Sequence, residues 1–160
     1  MTGTVPDDPH RDRLYAAEHD ALPDGGRRFR RFAEVERYVD DVVTGAFWES
    51  RFPDAPIEVQ VLRRSRGATF SAAHVTDEGD AAAVWLRDGS WDLATVAHEL
   101  AHVASAPGPA SGPDPTGPHG ERFATALLVL WRQLLGVHAY GALRSCLDDQ
   151  GVPYLRDRLG

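Results

Sequence analysis

One stretch constrains this chain more than any other, because it places three ionisable side chains in an otherwise apolar segment. Residues 95–103 read TVAHELAHV, and the surrounding uncharged residues are typical of a buried helix. On a helix, residues four apart share a face, so His98 and His102 can direct their imidazoles to one point. Two neutral imidazoles provide half of a tetrahedral zinc site, and Glu99 lies beside the open position, where it can accept a proton from water. The stretch therefore predicts a Zn²⁺ site on a helix, with Glu99 as its base.

The composition is that of one folded domain. The chain has 160 residues, of which 42% are hydrophobic and 26% charged, enough to bury a substantial core. Its net charge of −7 argues against general nucleic-acid binding. The single cysteine, Cys146, cannot form an internal disulfide, and neither a signal peptide nor an apolar run of membrane length is visible. We therefore expect a cytoplasmic protein without a membrane partner; the sequence leaves its oligomeric state open.

The order of patterns along the chain predicts an α+β fold. Residues 1–27 are expected to form a loosely ordered N-terminal segment and residues 28–160 a single domain. Within that domain, helical spacing of apolar residues comes first, strand patterns follow, and helical spacing then returns. The expected elements are a helix over 28–45, strands over 57–62, 68–75 and 82–86, the metal helix to about 105, and helices over 120–136 and 139–149. Short strands joined by tight turns favour an antiparallel sheet, and we expect 82–86 to be the edge where an extended peptide pairs.

A catalytic zinc needs a third protein ligand, and the chain offers three candidates. The extended motif H-E-x-x-H-x-x-G-x-x-H is excluded, because Ser105 and Gly108 stand where it requires glycine and histidine. Asp114, His119 and Glu121 follow downstream. His119 is favoured because it stands where a Pro- and Gly-rich loop ends and a helix begins, whereas Glu121 and Asp114 remain alternatives.

Further groups should orient the histidines, begin the metal helix and stabilise the oxyanion. Asp92 and Asp114 are candidates for the carboxylate that orients a ligand histidine. Ser90 or Asp92 is expected to cap the metal helix. Candidates for the oxyanion donor, among which the sequence does not choose, are Tyr140, Tyr154, His138 and the arginines.

The two histidine motifs together resemble the SprT-like zinc metallopeptidases. Residues 98–102 read H-E-L-A-H and residues 119–123 read H-G-x-x-F; in that family the histidines of both motifs bind zinc. More closely, the chain resembles a family of actinobacterial metallohydrolases that shows an early R-D-x-x-Y-A-A-E-like segment, here residues 11–18. The resemblance implies a zincin-like fold and a zinc site of three histidines, His98, His102 and His119.

We therefore expect a zinc-dependent hydrolase that cleaves peptide or amide bonds in a peptide or protein substrate. Glu99 would accept the proton of the attacking water and return it to the leaving amine. One alternative is a metal-stabilised binding module without turnover, against which Glu99 argues, since a structural site has no use for a base. The other is a SprT-like nucleic-acid-associated protease, against which the net charge of −7 and the lack of a cysteine-rich zinc ribbon argue.

Overall fold

Along the chain, helices come before and after the three strands of one small sheet. This is the α+β arrangement that was predicted. A computed structural model describes residues 7–108 and 111–160. Within those ranges there are six α-helices, three strands and one short 3₁₀ helix. In chain order they are α1 (Arg11–Ala21), α2 (Phe32–Val43), α3 (Ala46–Arg51), β1 (Glu58–Arg64), β2 (Ala72–Val75), β3 (Ala81–Arg87), α4 (Leu93–Ser105), α5 (Glu121–Leu134), α6 (Val137–Gln150) and the 3₁₀ turn Arg156–Arg158.

Helix α4 carries the predicted histidine stretch through the middle of the molecule. It begins where Asp92 caps it: Asp92 Oδ1 accepts from the backbone N–H of Thr95 at 2.9 Å, and Oδ2 accepts from the Thr95 hydroxyl at 3.0 Å. Most of its side chains are buried, including Val96, Leu100 and Val103. The prediction of a buried helix over this stretch is confirmed, and Asp92 is its cap.

Helix α5 packs along α4 and brings its own N-terminus to the metal motif. Its residues from Phe123 to Trp131 are all buried, so the helix is enclosed rather than merely amphipathic. Helix α6 covers α5, and it also contacts α1. Among the helices of the described ranges, none is long and apolar enough to cross a membrane.

The sheet is mixed, and the prediction of an antiparallel sheet was wrong for one of its two pairings. The strand order is β1-β3-β2; β1 pairs parallel with β3 and β2 pairs antiparallel with it. After β1 the chain crosses to the far side of the sheet, forms β2, and returns through a hairpin into the middle. The strands β2 and β3 are therefore neighbours both in sequence and in the sheet, whereas β1 and β2 are consecutive in sequence but are not neighbours in the sheet.

Strand β3 is the central strand, so the prediction that residues 82–86 form a free edge was also wrong. Ala82, Val84 and Leu86 are buried, and the residues between them are half-buried. The physical reason lies in the composition, because a short and almost wholly apolar strand is best accommodated between two neighbours. The edge strand that packs near α4 is β2.

The first helix departs from the expectation of a loosely ordered segment over residues 1–27. Residues 1–6 lie outside the described residues, but residues 11–21 form α1, and Leu14 and Ala17 on it are fully buried. Its contacts are mainly with α6, and Arg13 donates a hydrogen bond to the carbonyl of Gln150 at 3.3 Å. The buried residues of α1, Leu14 and Ala17, are only one turn apart and lie among charged residues. The sequence pattern therefore did not reveal that this helix packs against the core.

Candidate metal centre

Three histidines, two from helix α4 and one from the loop before α5, converge on one point. His98 and His102 project from the same face of α4, and His119 stands immediately before α5. Each offers one ligand atom, and these atoms all lie within 4.8 Å of one another. The Nε2 atoms of His98 and His119 are 3.3 Å apart. This cluster can hold a metal ion, and it brings together the three histidines predicted as ligands.

Phe123 forms the floor beneath the three imidazoles. Its ring centroid lies 4.3 Å from that of His102, and 4.9 Å from those of His98 and His119. The ring is buried at 1% exposure, so it fixes the turn from His119 into α5 against the face of α4. The aromatic residue of the H-G-x-x-F motif is therefore a packing residue of the site.

Asp114 and Glu121, the alternative third ligands, lie outside the histidine cluster. Asp114 instead organises the loop before α5, because Oδ1 accepts from the backbone N–H of Thr116 at 2.8 Å and Oδ2 from that of Arg122 at 3.4 Å. Glu121 is the first residue of α5, and its backbone N–H donates to the hydroxyl of Thr116 at 3.1 Å. The loop thus holds His119 in place without supplying a ligand of its own.

Two carboxylates orient the ligand histidines, and neither was among the predicted candidates Asp92 and Asp114. His98 Nδ1 donates to Glu18, with its two carboxylate oxygens at 2.9 and 3.1 Å. His119 Nδ1 donates to Asp8 Oδ2 at 2.7 Å. A donor at Nδ1 leaves Nε2 with its lone pair towards the cluster, and such carboxylate–histidine pairs accompany most metal-binding histidines.

The segment before α1 passes directly over the loop that presents His119. The backbone N–H of His119 donates to Asp8 Oδ1 at 3.3 Å. At Gly117, where φ is +90°, an added Cβ would lie 2.5 Å from the carbonyl oxygen of Asp7. Glu18 falls in the R-D-x-x-Y-A-A-E-like segment, so that resemblance was a usable signal for it; Asp8 had no signal in the sequence.

The environment of the imidazoles keeps two of them neutral. Burial lowers the pKa of His102 well below its usual value, and the nearby His98 and His119 lower it further. Burial also lowers the pKa of His119, although Asp8 opposes the change. Burial also lowers the pKa of His98, but the charges of Glu18 and Glu99 outweigh this effect, so the pKa of His98 is raised. Neutral imidazole nitrogens are ligands for Zn²⁺ and also for other divalent ions of the first transition row.

Glu99 is a buried carboxylate with an unpaired oxygen. It is 4% exposed, and its Oε2 has no hydrogen-bond partner among the residues that the structure describes. Burial raises its pKa to about 7, with His98 opposing and Glu18 adding to the rise. A buried carboxylate oxygen without a partner is costly, so a group outside the chain, such as a water or an ion, suits this position.

Tyr15 is a further residue of the site; it was not predicted, although like Glu18 it falls in the segment 11–18. Its ring stacks on that of His98, with centroids 4.9 Å apart at 20°, and lies 5.4 Å from that of His119. Burial, together with the charges of Glu99 and Glu18, raises its pKa to about 12, so its hydroxyl stays protonated at neutral pH. The predicted donors Tyr140, Tyr154 and His138 lie on or after α6; the hydroxyl of Tyr154 donates to Asp148 there at 2.9 Å.

A cleft of about 360 Å³ opens beside Glu99. It extends from His98 and Glu99 to the N-terminal end of α4 and to the loop that precedes β2. Residues on its wall include Tyr15, Glu18, Phe70, Arg87, His98 and Glu99. A cleft of this size is large enough to admit part of a peptide.

Comparisons with known proteins add no relative. A scan against protein-family models, a search of curated proteins and a search of solved structures found no match to this chain.

Proposed function

We propose that this protein is a zinc-dependent hydrolase with a zincin-like site that cleaves peptide or amide bonds. The observation that carries the proposal is the unpaired, buried Oε2 of Glu99 next to three converging histidines. A site that only stabilises the fold needs ligands, but it has no need of a fourth ionisable group buried without a partner. Glu99 is such a group.

The chain supplies the base and the ligands for this reaction. A bound Zn²⁺ acts as a Lewis acid and lowers the pKa of water towards about 7. Glu99 accepts the proton as the water attacks the carbonyl carbon, and it gives that proton to the leaving amine. In the chain without a metal, burial raises the pKa of Glu99 to about 7; a bound cation beside it would favour the ionised form, which can accept the proton.

Strand β2 takes the substrate-pairing role that was predicted for residues 82–86. Thr69, Phe70 and Ser71 line the cleft and lead directly into β2, which is an edge strand. An extended peptide paired with such an edge gains main-chain hydrogen bonds that do not depend on its sequence. Its scissile bond would then lie over the cleft next to Glu99.

The test is the variant Glu99→Gln in protein whose zinc content has been measured. We expect equal zinc, and a loss of at least 100-fold in kcat/KM on a quenched fluorescent peptide mixture, the size typical of a missing general base. Glu121→Gln is the matched control, because it makes the same change nearby on a residue outside the histidine cluster; it should keep both zinc and activity.

Two results would contradict the proposal. Equal turnover by Glu99→Gln and the parent protein would remove Glu99 from the reaction. Stoichiometric zinc with no turnover of any peptide by the parent protein would favour the binding module without turnover.

A further inference from the structure

Two arginines line the cleft without a carboxylate partner among the described residues. Arg28 and Arg87 line the same cleft as His98 and Glu99. Within the described residues, neither guanidinium forms an ion pair with a carboxylate. Arg87 contacts only neutral oxygens, Ser90 Oγ at 3.3 Å and the Ala68 carbonyl at 3.4 Å, and Arg28 contacts the Gly89 carbonyl at 3.4 Å.

The adjoining surface is basic as well. Arg28 also lines a neighbouring cavity of about 290 Å³, together with Arg63, Arg66 and Asp88. Asp88 is held by Arg63 at 2.9 Å, which leaves Arg28 and Arg66 without a carboxylate partner among the described residues. Three arginines therefore face one aspartate here, in a chain whose net charge is −7.

The carboxylates of the cleft are already engaged elsewhere. Asp92 uses both oxygens to cap α4, and Glu18 uses both on His98. Asp24 accepts from the backbone N–H of Gly26 at 2.9 Å. Glu99 lies at the opposite end, beside the histidines. The free arginines are thus available for an anion that enters the cleft from outside.

The backbone of Arg28 is held beside the N-terminal end of α4. It forms a bridge with Asp92, and the flanking Phe29 N–H donates to the Trp91 carbonyl at 2.9 Å. Along α4, the rise from Asp92 to Glu99 is about 10 Å at 1.5 Å per residue. An extended peptide advances about 3.3 Å per residue, so this distance corresponds to about three residues.

We propose that Arg28 and Arg87, which line the cleft, bind a carboxylate of the substrate, about three residues from the scissile bond. This inference rests on the proposed function, because it takes the cleft to be the place where the substrate binds. The carboxylate belongs to an acidic side chain or to the C-terminus of a peptide, and guanidinium groups bind either through paired N–H donors.

The test uses quenched fluorescent octapeptides with an uncharged background of Ala, Ser and Leu. The first set consists of amidated peptides in which a single Glu occupies each position in turn. The second set has Gln in place of that Glu, and the third has Gln together with a free C-terminal carboxylate. We expect kcat/KM to be about tenfold higher for one Glu peptide than for its Gln counterpart, the scale of a hydrogen bond to a charged group. That preference should decrease with added salt, because Arg28 is exposed.

The variant Arg28→Gln should bring the ratio between Glu and Gln peptides close to one. Arg30→Gln is the matched control: it removes the same charge two positions away, at an exposed residue that does not line the cleft, and it should preserve the ratio. Arg28→Lys should retain part of the preference, since charge remains while the paired donors are lost.

Binding to zinc-loaded Glu99→Gln protein, measured by fluorescence anisotropy, separates this inference from the proposed function. Tighter binding of Glu peptides that Arg28→Gln abolishes supports the inference even if no peptide is cleaved. A preference confined to the free C-terminus supports it and identifies the carboxylate as that of a chain end. The inference is overturned if the protein cleaves or binds peptides with a carboxylate no better than peptides without one. Tighter binding of a single-stranded DNA than of any Glu peptide, lost in Arg28→Gln, also overturns it, because the anion is then a phosphate.

Discussion

Two ligand histidines each use both ring nitrogens. His98 and His119 direct Nε2 to the cluster while Nδ1 donates to a carboxylate, Glu18 and Asp8 respectively. The carboxylate fixes the tautomer and the ring orientation, and it makes the ligand nitrogen more basic. The geometry of the centre therefore depends on residues that never touch the metal.

Replacing these carboxylates should weaken zinc binding while the protein stays folded. For Glu18→Gln and for Asp8→Asn we expect zinc affinity to decrease by about 10- to 100-fold, because each ring loses its charged acceptor. Competition with a chromophoric chelator measures the affinity. Asp12→Asn, a change of an exposed carboxylate on α1, should leave it unchanged; equal effects of all three variants would show a change of net charge only.

The sequence predicted which histidines converge better than it predicted the residues around them. The spacing of His98 and His102 is a local property of one helix, so the pattern alone could reveal it. His119 could be favoured because a helix start follows a loop. Asp8 and Glu18 lie 111 and 80 residues from their histidines. Only the folded chain brings such distant residues together, so their roles could not be predicted from spacing.

At the scale of elements, the turn between α4 and α5 decides where the third ligand lies. Gly120 has an extended backbone with φ −77°, so its role is steric rather than conformational. An added Cβ would clash with Oγ1 of Thr116 and lie 2.9 Å from the carbonyl oxygen of Gly117. The glycine permits the chain to fold tightly on its own loop just before α5. The contact with α4 is made by Phe123, whose ring packs against those of His98 and His102.

Gly120→Ala should therefore displace His119. We expect a loss of about 1–3 kcal/mol in the free energy of unfolding, since the added methyl group has no space, together with weaker zinc binding. Urea denaturation and chelator competition measure the two effects. Gly141→Ala on α6 is the control: a Cβ there meets nothing within 4 Å, and alanine favours a helix, so stability should stay equal or rise. Normal zinc affinity in Gly120→Ala would contradict the role of this turn.

The N-terminal cap of α4 should contribute measurably to stability. Asp92→Ala removes an acceptor for the Thr95 N–H and should lower the free energy of unfolding by about 1 kcal/mol. Asp92→Asn keeps a capping oxygen and should recover most of the loss. Thermal unfolding of the zinc-free protein measures both variants; equal losses would mean that charge, not capping, is responsible.

The elements were predicted more reliably than their arrangement. Helical spacing gave α4, α5 and α6 close to their bounds, because their apolar residues follow one face. The pattern of the strands gave their presence but not their pairing, since alternation of side chains does not record which neighbour a strand has. Thus β3 was placed at an edge although it lies in the centre.

For the molecule as a whole, the metal centre joins parts that are distant in the chain. If the folded protein binds Zn²⁺ as proposed, a free concentration a thousand times the Kd should add about 4 kcal/mol to the free energy of unfolding. Differential scanning calorimetry with and without a chelator measures the shift in Tm. His102→Ala should abolish it, whereas His138→Ala, a change of an exposed histidine on α6, should not. An unchanged Tm on addition of zinc would contradict a metal site in the folded protein.

The contact between Asp8 and His119 also bears on the order of folding. A contact between residues so far apart in sequence requires the long intervening loop to close. The pair is separated by 111 residues, so its formation requires α4, the start of α5 and the segment before α1 to be in place together. A chain that is still incomplete, or only partly folded, therefore lacks an oriented metal centre. If the protein cleaves peptides as proposed, this ordering delays its activity until it is itself folded, when its own backbone is no longer an accessible substrate.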